Sequence, residues 1–450
     1  MARKPSLTGF PEWLPAERVV EQHVLDTLRQ VFQLHGFSNI ETRAVETVGQ
    51  LLRKGEIDKE VYGVSRLQDD AARAKEDPNA LALHFDLTVP FARYVVENAG
   101  YLHFPFRRYQ MQKVWRGERP QDGRFREFTQ ADVDIVGDGT LPFRYDVELA
   151  LVIAEALSAL ELGDFRLRVN NRKLSEGFYL GMGIEDTAAV LRAIDKLEKI
   201  GAAKVSEELQ AGGLSEEQAS KALSLAQITA FDGGFVEQVR ALGVSHELLE
   251  EGLDELRQVV EAAAIAAPGR VMADLSIARG LDYYTGTVYE TVLVGHEKLG
   301  SICSGGRYES LASNGKKSYP GVGLSIGVSR LVSRLLAEQT LVPSREVPTA
   351  VLVALPQDSD WLRAQDVARQ LRSRGISTEV MATAEKFGKQ IKHADRRGIP
   401  FVWFLGTEGA ADTVKDIRTG EQLEADAALW APPAADLHPS VGPAAIPAAE

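Results

Sequence analysis

The sequence predicts an α+β chain in three parts. A region of mixed strands and helices runs to about residue 342, helical sequence interrupts it over about 173–266, and a small α/β domain follows over 348–431. Three observations carry this reading. From Lys173 to Ala266 the chain turns Ala-, Leu- and Glu-rich, with helical periods and no convincing strand. Strand-like runs flank that stretch, at Phe165–Val169 and Val271–Ile277. Beyond Pro343–Val347, which reads as a linker, buried-type strands alternate with helices, the pattern of a small α/β domain. A length of 450 residues also exceeds one ordinary domain.

The elements follow in order. Pro15 starts a helix whose Val20, Val24, Leu28, Val31 and Phe32 share one face, and Gly36 stops it. A strand is expected over Ile40–Val45, then a strand at Leu81–Leu83 and a helix over Val89–Val96. Tyr109–Trp115 and Phe125–Val136 read as two strands around a turn with Pro120, Asp122 and Gly123. Asp146–Leu160 is a helix, and Thr287–Val294 a strand. The Gly-rich run Gly321–Gly327 leads into an apolar helix over Val328–Leu336. In the last domain, strands at Ala350–Leu355, Thr378–Met381 and Phe401–Leu405 alternate with helices at Trp361–Leu371 and Glu385–Arg397. The Pro- and Ala-rich tail over 432–450 is expected to be disordered.

Composition narrows the class. Hydrophobic residues make up 44% and charged residues 26%, a soluble globular balance. No apolar run could cross a bilayer, and the first residues lead into no signal-peptide core, so a cytoplasmic location is expected. One cysteine, Cys303, excludes an internal disulfide and reads as a buried packing residue. The eight histidines show no metal-ligand spacing. A net charge of −13 disfavours a protein that coats nucleic acid over its whole surface but leaves room for a local basic groove.

Such a groove is suggested at Arg107–Arg126, with seven basic residues against two acidic ones. A solvated, salt-bridged hairpin would look similar. Three details favour a nucleotide triphosphate. Arginine dominates, and its planar fork suits phosphate. Phe125 and Phe128 lie among the arginines, where a purine could stack. Gly123 lets the hairpin close over a ligand.

The string from Arg116 to Gln130 resembles the second signature motif of class II aminoacyl-tRNA synthetases, in the form found in the histidyl-tRNA synthetase family. Ala278–Glu290, which contains Arg279-Gly280 and Tyr283-Tyr284, and Ser304–Tyr308 resemble that family's two histidine-specific motifs. Gly321–Gly327 with Arg330 resembles the third class II motif, and it lacks the Gly-Lys-Ser/Thr ending of a P-loop. The resemblance covers roughly the first 430 residues.

It implies a fold and a site. The fold would be a class II catalytic domain, an antiparallel sheet flanked by helices with a helical insertion, plus a C-terminal α/β anticodon-binding domain. Arg116 and Arg279 would act at the α-phosphate of ATP, Glu118 at the adenine amino group, and Arg124 at the distal phosphates. Phe128 would stack on the base, and Arg330 would cover the adenine and reach the γ-phosphate. Asp86, Thr88 and Gln130 would hold the substrate ammonium. Asp134 and Tyr284 would read the imidazole, with Tyr283 and Tyr308 in the same histidine-binding motifs. A carboxylate and a phenol together suit a ring with two nitrogens. Lys386, Lys389 and Lys392, with Arg396 and Arg397, lie on or beside one helix. The bland reading is solubility, but Lys386–Asp395 resembles the anticodon-binding domain and implies tRNA contact.

The implied reaction activates L-histidine with ATP and Mg²⁺, then charges tRNA(His); the metal's ligands are unknown, and the class implies a homodimer. Four departures stand out: Thr42-Arg43 in place of a motif-one proline, His84 in place of an arginine, Ser329 in place of an acid, and Glu309-Ser310 in place of Asp-Gly. Two rival readings exist: a non-catalytic histidine-binding paralogue, the regulatory subunit of ATP phosphoribosyltransferase, and a tRNA-binding protein with an inactive catalytic domain. Arg116, Arg279 and the C-terminal domain favour the enzyme over the regulatory subunit, while His84 and Ser329 are the best support for the inactive-domain reading.

Overall fold

The computed structural model describes residues 7–52, 60–66, 68, 77, 79–121, 123–278, 280, 283–407 and 409–443. It divides into two compact units, Met1–Pro11 with Val24–Ser333, and Glu12–His23 with Arg334–Glu450. Among the described residues no helix is long and apolar enough to cross a membrane.

The chain begins with α1 (Pro15–Leu34), β1 (Ser38–Asn39), β2 (Val45–Thr47), α2 (Val48–Leu51), β3 (Gly63–Val64) and β4 (Leu81–Leu83). It continues through α3 (Thr88–Asn98), β5 (Phe106–Trp115), β6 (Glu127–Val136), α4 (Arg144–Ala159) and β7 (Phe165–Asn171). Helices then dominate: α5 (Arg172–Gly181), α6 (Thr187–Ile194), α7 (Leu197–Ile200), α8 (Ala202–Ala211), α9 (Glu216–Ala226), α10 (Phe235–Arg240) and α11 (Glu247–Ala266). A two-residue strand, β8 (Thr229–Ala230), falls among them and pairs with β9 (Val271–Asp274), so the expectation of purely helical sequence is corrected there. β10 (Thr287–Leu293), β11 (Cys303–Tyr308), β12 (Gly321–Gly327) and α12 (Val328–Ala337) follow.

Nine of these strands form one sheet, in the order β1-β5-β6-β12-β11-β10-β7-β9-β8. The six from β5 to β7 are antiparallel, as the family resemblance implies. The outer pairs β1–β5 and β7–β9 are parallel. Register gives the sheet two unlike faces, because alternate residues point to opposite sides. On one face Ala131, Val133 and Ile135 of β6 lie beside Val322, Leu324 and Ile326 of β12, all buried. Helix α4 lies on that side: Tyr289 Oη donates to the Asp146 carbonyl, and Arg307 faces the Asp146 carboxylate at 3.4 Å. Cys303 belongs to the same buried face, and burial pushes its thiol up. The opposite face of β6 carries Phe128, Gln130, Asp132 and Asp134.

The strand expected over Ile40–Val45 is instead two short pieces, β1 ending at Asn39 and β2 beginning at Val45. Side chains occupy Thr42 between them: Gln112 Nε2 donates to its carbonyl at 3.0 Å and Gln110 Nε2 to its hydroxyl at 2.9 Å. Ladder pairing stops where those amides intervene.

The second unit contains β13 (Val342–Pro343), β14 (Val351–Val353), α13 (Trp361–Ser373), β15 (Thr378–Val380) and α14 (Phe387–Arg396). It ends with β16 (Phe401–Phe404), β17 (Thr413–Asp416), β18 (Gln422–Glu424) and β19 (Val441–Gly442). The expected strands β15, β14 and β16 are parallel; β17 and β18 add an antiparallel edge. The tail departs from expectation as far as residue 443. Arg418 makes a two-pronged pair with Asp436 at 2.7 and 2.9 Å, Arg345 donates to the Asp436 carbonyl, and β19 pairs with the linker strand β13. Residues 444–450 lie outside the described residues.

Candidate active site

Strand β6 organises the site because its polar residues fall on every second position. Phe128 and Gln130 belong to one end of the strand and Asp134 to the other. Two neighbouring regions result, a cleft and a buried pocket.

The cleft is lined by Arg116, Glu118, Gly123, Arg124, Phe128 and Arg330, with Gln130, Ser325 and β11 residues on its walls. The structure thus gathers five of the six residues expected at ATP, all but Arg279. The Arg116 guanidinium lies 4.3 Å from the Phe85 ring and 5.1 Å from the Phe128 ring, and its Nε donates to the Phe85 carbonyl at 3.2 Å. Glu118 sits loosely between two arginines, 3.9 Å from Arg116 and 3.8 Å from Arg124. Arg330 ties the hairpin down, donating through Nε to the Gly123 carbonyl at 3.0 Å and through Nη1 to Ser301 at 2.5 Å. Gly123 has φ +66°, and a Cβ there would fall 2.7 Å from Leu299 and 3.3 Å from Arg330. Both its turn and its close contact require glycine. Asp122, read as part of this turn, lies outside the described residues.

The pocket centres on Asp134. Tyr308 Oη donates to Asp134 Oδ1 at 2.9 Å, and Arg108 Nη2 lies 2.7 Å from Asp134 Oδ2. Arg108 is completely buried, with Phe91 4.0 Å beneath its guanidinium. The opposing strand leaves the room: a Cβ on Gly323 would fall 2.0 Å from Asp134 Oδ1, and one on Gly321 would fall 2.5 Å from the Tyr308 ring. Tyr283 and Tyr284 lie ring against ring at 4.2 Å, and both pack on the apolar cluster containing Tyr308 and Phe91. Burial, the Tyr283 neighbour and the charges of Asp134 and Asp86 push the Tyr284 phenol well up, so it stays protonated and able to donate. Asp86 accepts from the Val89 amide at 3.1 Å and caps the helix that Thr88 opens. Arg279 lies outside the described residues.

Sequence reasoning missed Asp132, Ser325 and the buried role of Arg108. Asp132 is pushed up to about 7, first by burial and then by Asp134 and Asp86, while Arg108 and the Ser325 hydroxyl oppose the rise. Its carboxyl therefore exchanges its proton near neutral pH rather than in the usual carboxylate range. A cation arriving beside it favours the ionised form and expels a proton. Histidine binding at pH 7 is expected to release a fraction of a proton, seen as a binding heat that varies with buffer ionisation enthalpy. The buffer dependence should vanish in Asp132→Asn; its persistence would assign the proton to another group.

A family model described as histidyl-tRNA synthetase matches residues 9–331, and one described as anticodon binding domain matches residues 350–428. The histidine--tRNA ligase of Micrococcus luteus is 70% identical over 453 residues, covering 98% of this chain and 99% of the relative. The chain belongs to the histidyl-tRNA synthetase family. A second relative, the histidine--tRNA ligase of Cutibacterium acnes, is 60% identical and covers 98% of this chain and 99% of its own length. The crystal structure of histidyl-tRNA synthetase from Nostoc sp. aligns with a TM-score of 0.83 at 38% identity, covering 95% of this chain and 98% of that one. A Bacillus halodurans structure titled as an ATP phosphoribosyltransferase regulatory subunit/histidyl-tRNA synthetase aligns at 0.71 with 22% identity, a likeness of fold alone.

The departures from the family pattern have local structural explanations. His84 is fully buried, its Nε2 bonds the Lys113 carbonyl at 2.6 Å, and its ring tilts against Trp115. Because that carbonyl can only accept, Nε2 carries the proton. Burial lowers the His84 pKa against the pull of Lys113, Asp86 and Glu46, so the ring is a neutral wedge. Ser329 accepts from the Thr129 amide at 2.9 Å, joining α12 to the signature strand. Thr42 receives Gln110, and Arg43 pairs with Glu46 at 3.2 Å. Glu309 sits 3.7 Å from Arg307.

In the second unit, Lys386, Lys389 and Lys392 are all exposed at the start of and along α14. Lys389 makes only a loose pair with Glu385 at 3.5 Å. Among the described residues, no three His, Cys, Asp or Glu side chains converge as a metal cage.

Proposed function

We propose that this chain is a histidine--tRNA ligase that converts L-histidine and MgATP to histidyl-adenylate and pyrophosphate, then transfers histidine to tRNA(His). The observation that carries the reading is the single strand β6, which offers Phe128 and Gln130 to an arginine-lined cleft and Asp134 to a buried Tyr–Asp pocket. Nearly full-length identity to histidine--tRNA ligases supports it independently.

In the first step the histidine carboxylate attacks the α-phosphorus, the bond to the β-phosphate oxygen breaks, and pyrophosphate leaves. The substrate supplies the nucleophile, so the protein's part is orientation and charge neutralisation. Arg116 takes the α-phosphate from the hairpin side, with Arg279 assigned to the same group through its motif. Arg124 and Arg330 meet the distal phosphates, Phe128 stacks on the adenine, and Glu118 accepts from its amino group. Asp86, Thr88 and Gln130 hold the ammonium. Asp134, with Tyr284, Tyr283 and Tyr308, surrounds the imidazole. In the second step a terminal ribose hydroxyl of tRNA attacks the carbonyl carbon and AMP departs.

Residues 1–342 serve as the activating domain and 348–431 as the anticodon-binding domain, whose Lys386, Lys389 and Lys392 contact tRNA. The enzyme acts as a cytoplasmic homodimer. Purified protein is expected to exchange labelled pyrophosphate into ATP only when histidine is present, and to charge tRNA(His). No exchange would sink the activation reading; exchange without charging would sink its second half.

A further inference from the structure

Strands β6 and β12 bring three polar side chains into a row. Ser325 stands directly across from Asp132, and Gly327 across from Gln130. With Gly321 and Gly323 also on this side, Ser325 is the one side chain of β12 that projects into the site. Its Oγ donates to Asp132 Oδ1 at 2.5 Å and accepts from Gln130 Nε2.

Chemistry dictates the direction of this chain. In its ionised form, which a bound α-ammonium favours, Asp132 only accepts, so the hydroxyl proton then points at Asp132. The Ser325 lone pair is then left for a donor, and Gln130 can supply only its NH₂. That requirement fixes which end of the carboxamide faces Ser325, and it turns Oε1 the other way. Oε1 is buried, the residue being 6% exposed, and has no hydrogen-bond partner. A buried acceptor without a donor is unfavourable, and a charged N–H donor relieves it strongly.

We infer that Asp132 and Ser325 are positioning residues, a relay that locks the Gln130 carboxamide with Oε1 toward the α-ammonium of the substrate. The inference rests on the histidine-activation reading and deepens it. A symmetric-looking amide becomes a one-sided acceptor, and the site becomes selective for a substrate bearing an amine. With the relay cut, the amide turns over freely and presents its NH₂ dipole to the ammonium part of the time.

The test compares two ligands that differ only at the amine. Binding of histidine and of its deaminated analogue, 3-(imidazol-4-yl)propionate, is measured by calorimetry on the full chain. Ser325→Ala should weaken histidine about tenfold, the worth of one charge-assisted hydrogen bond, and leave the analogue within twofold. Ser325→Cys, similar in volume but a weak donor, should match it. Ser325→Thr keeps the hydroxyl and should restore histidine affinity to within about threefold. Equal weakening of both ligands, or unchanged histidine affinity, overturns the relay. Wild-type protein that binds no histidine removes the activation reading and the relay together.

Discussion

Arg116→Ala is expected to lower the rate constant of histidine-dependent pyrophosphate exchange by about 10²- to 10³-fold, with a smaller change in KM for ATP. The magnitude is that of removing one preorganised donor from a developing charge. The geometry explains why the loss should fall on the rate constant. The guanidinium already lies against the Phe85 and Phe128 rings with Nε bonded to the Phe85 carbonyl, so it needs no reorganisation as charge builds. Arg116→Lys should recover little of the loss, because an ammonium lacks both the planar face and the fixed fork. Steady-state exchange at varied ATP separates the effects. A raised KM with an unchanged rate constant would reduce Arg116 to a nucleotide grip.

How much of this was legible in the sequence depends on how far apart the cooperating residues lie. The hairpin was readable because its signals are local: turn residues between two strands, with arginines and phenylalanines in between. The alternation Gln130, Asp132, Asp134 is equally local. What it faces is not, since β12 arrives almost two hundred residues later. Gly321 and Gly323 therefore read as part of a glycine-rich run resembling the third motif, whereas the fold gives each a specific partner in Tyr308 and Asp134. Arg108 and Asp132 look like ordinary surface charges until strand pairing buries them. The tail misled for the same reason. Its Pro and Ala content describes a chain without a core of its own, while Arg345, 91 residues earlier, and Arg418 hold Asp436 in place.

Asp134→Asn should produce two losses with different causes, and their separation is the sharper test. The substitution keeps the shape but leaves the fully buried Arg108 facing a neutral amide. Breaking a buried pair costs up to about 3–5 kcal/mol, an upper bound here because the Asp132 carboxyl also interacts with Arg108, so the melting temperature should fall. Histidine should also lose its imidazole acceptor, raising KM for histidine by about 10²-fold or more, the scale on which a site built for a polar group fails when a partner is missing. Adding Arg108→Met to Asp134→Asn removes the stranded charge. Stability should then recover, as it does when buried ion pairs are replaced by apolar packing, while KM for histidine stays high. The pair is close enough that the two effects must not add. Recovery of both quantities in the double variant would mean that Asp134 serves only to neutralise Arg108. Recovery of stability alone would assign the carboxylate to the imidazole, and Tyr308→Phe, which removes one hydroxyl donor at 2.9 Å, should then show a smaller rise in the same KM.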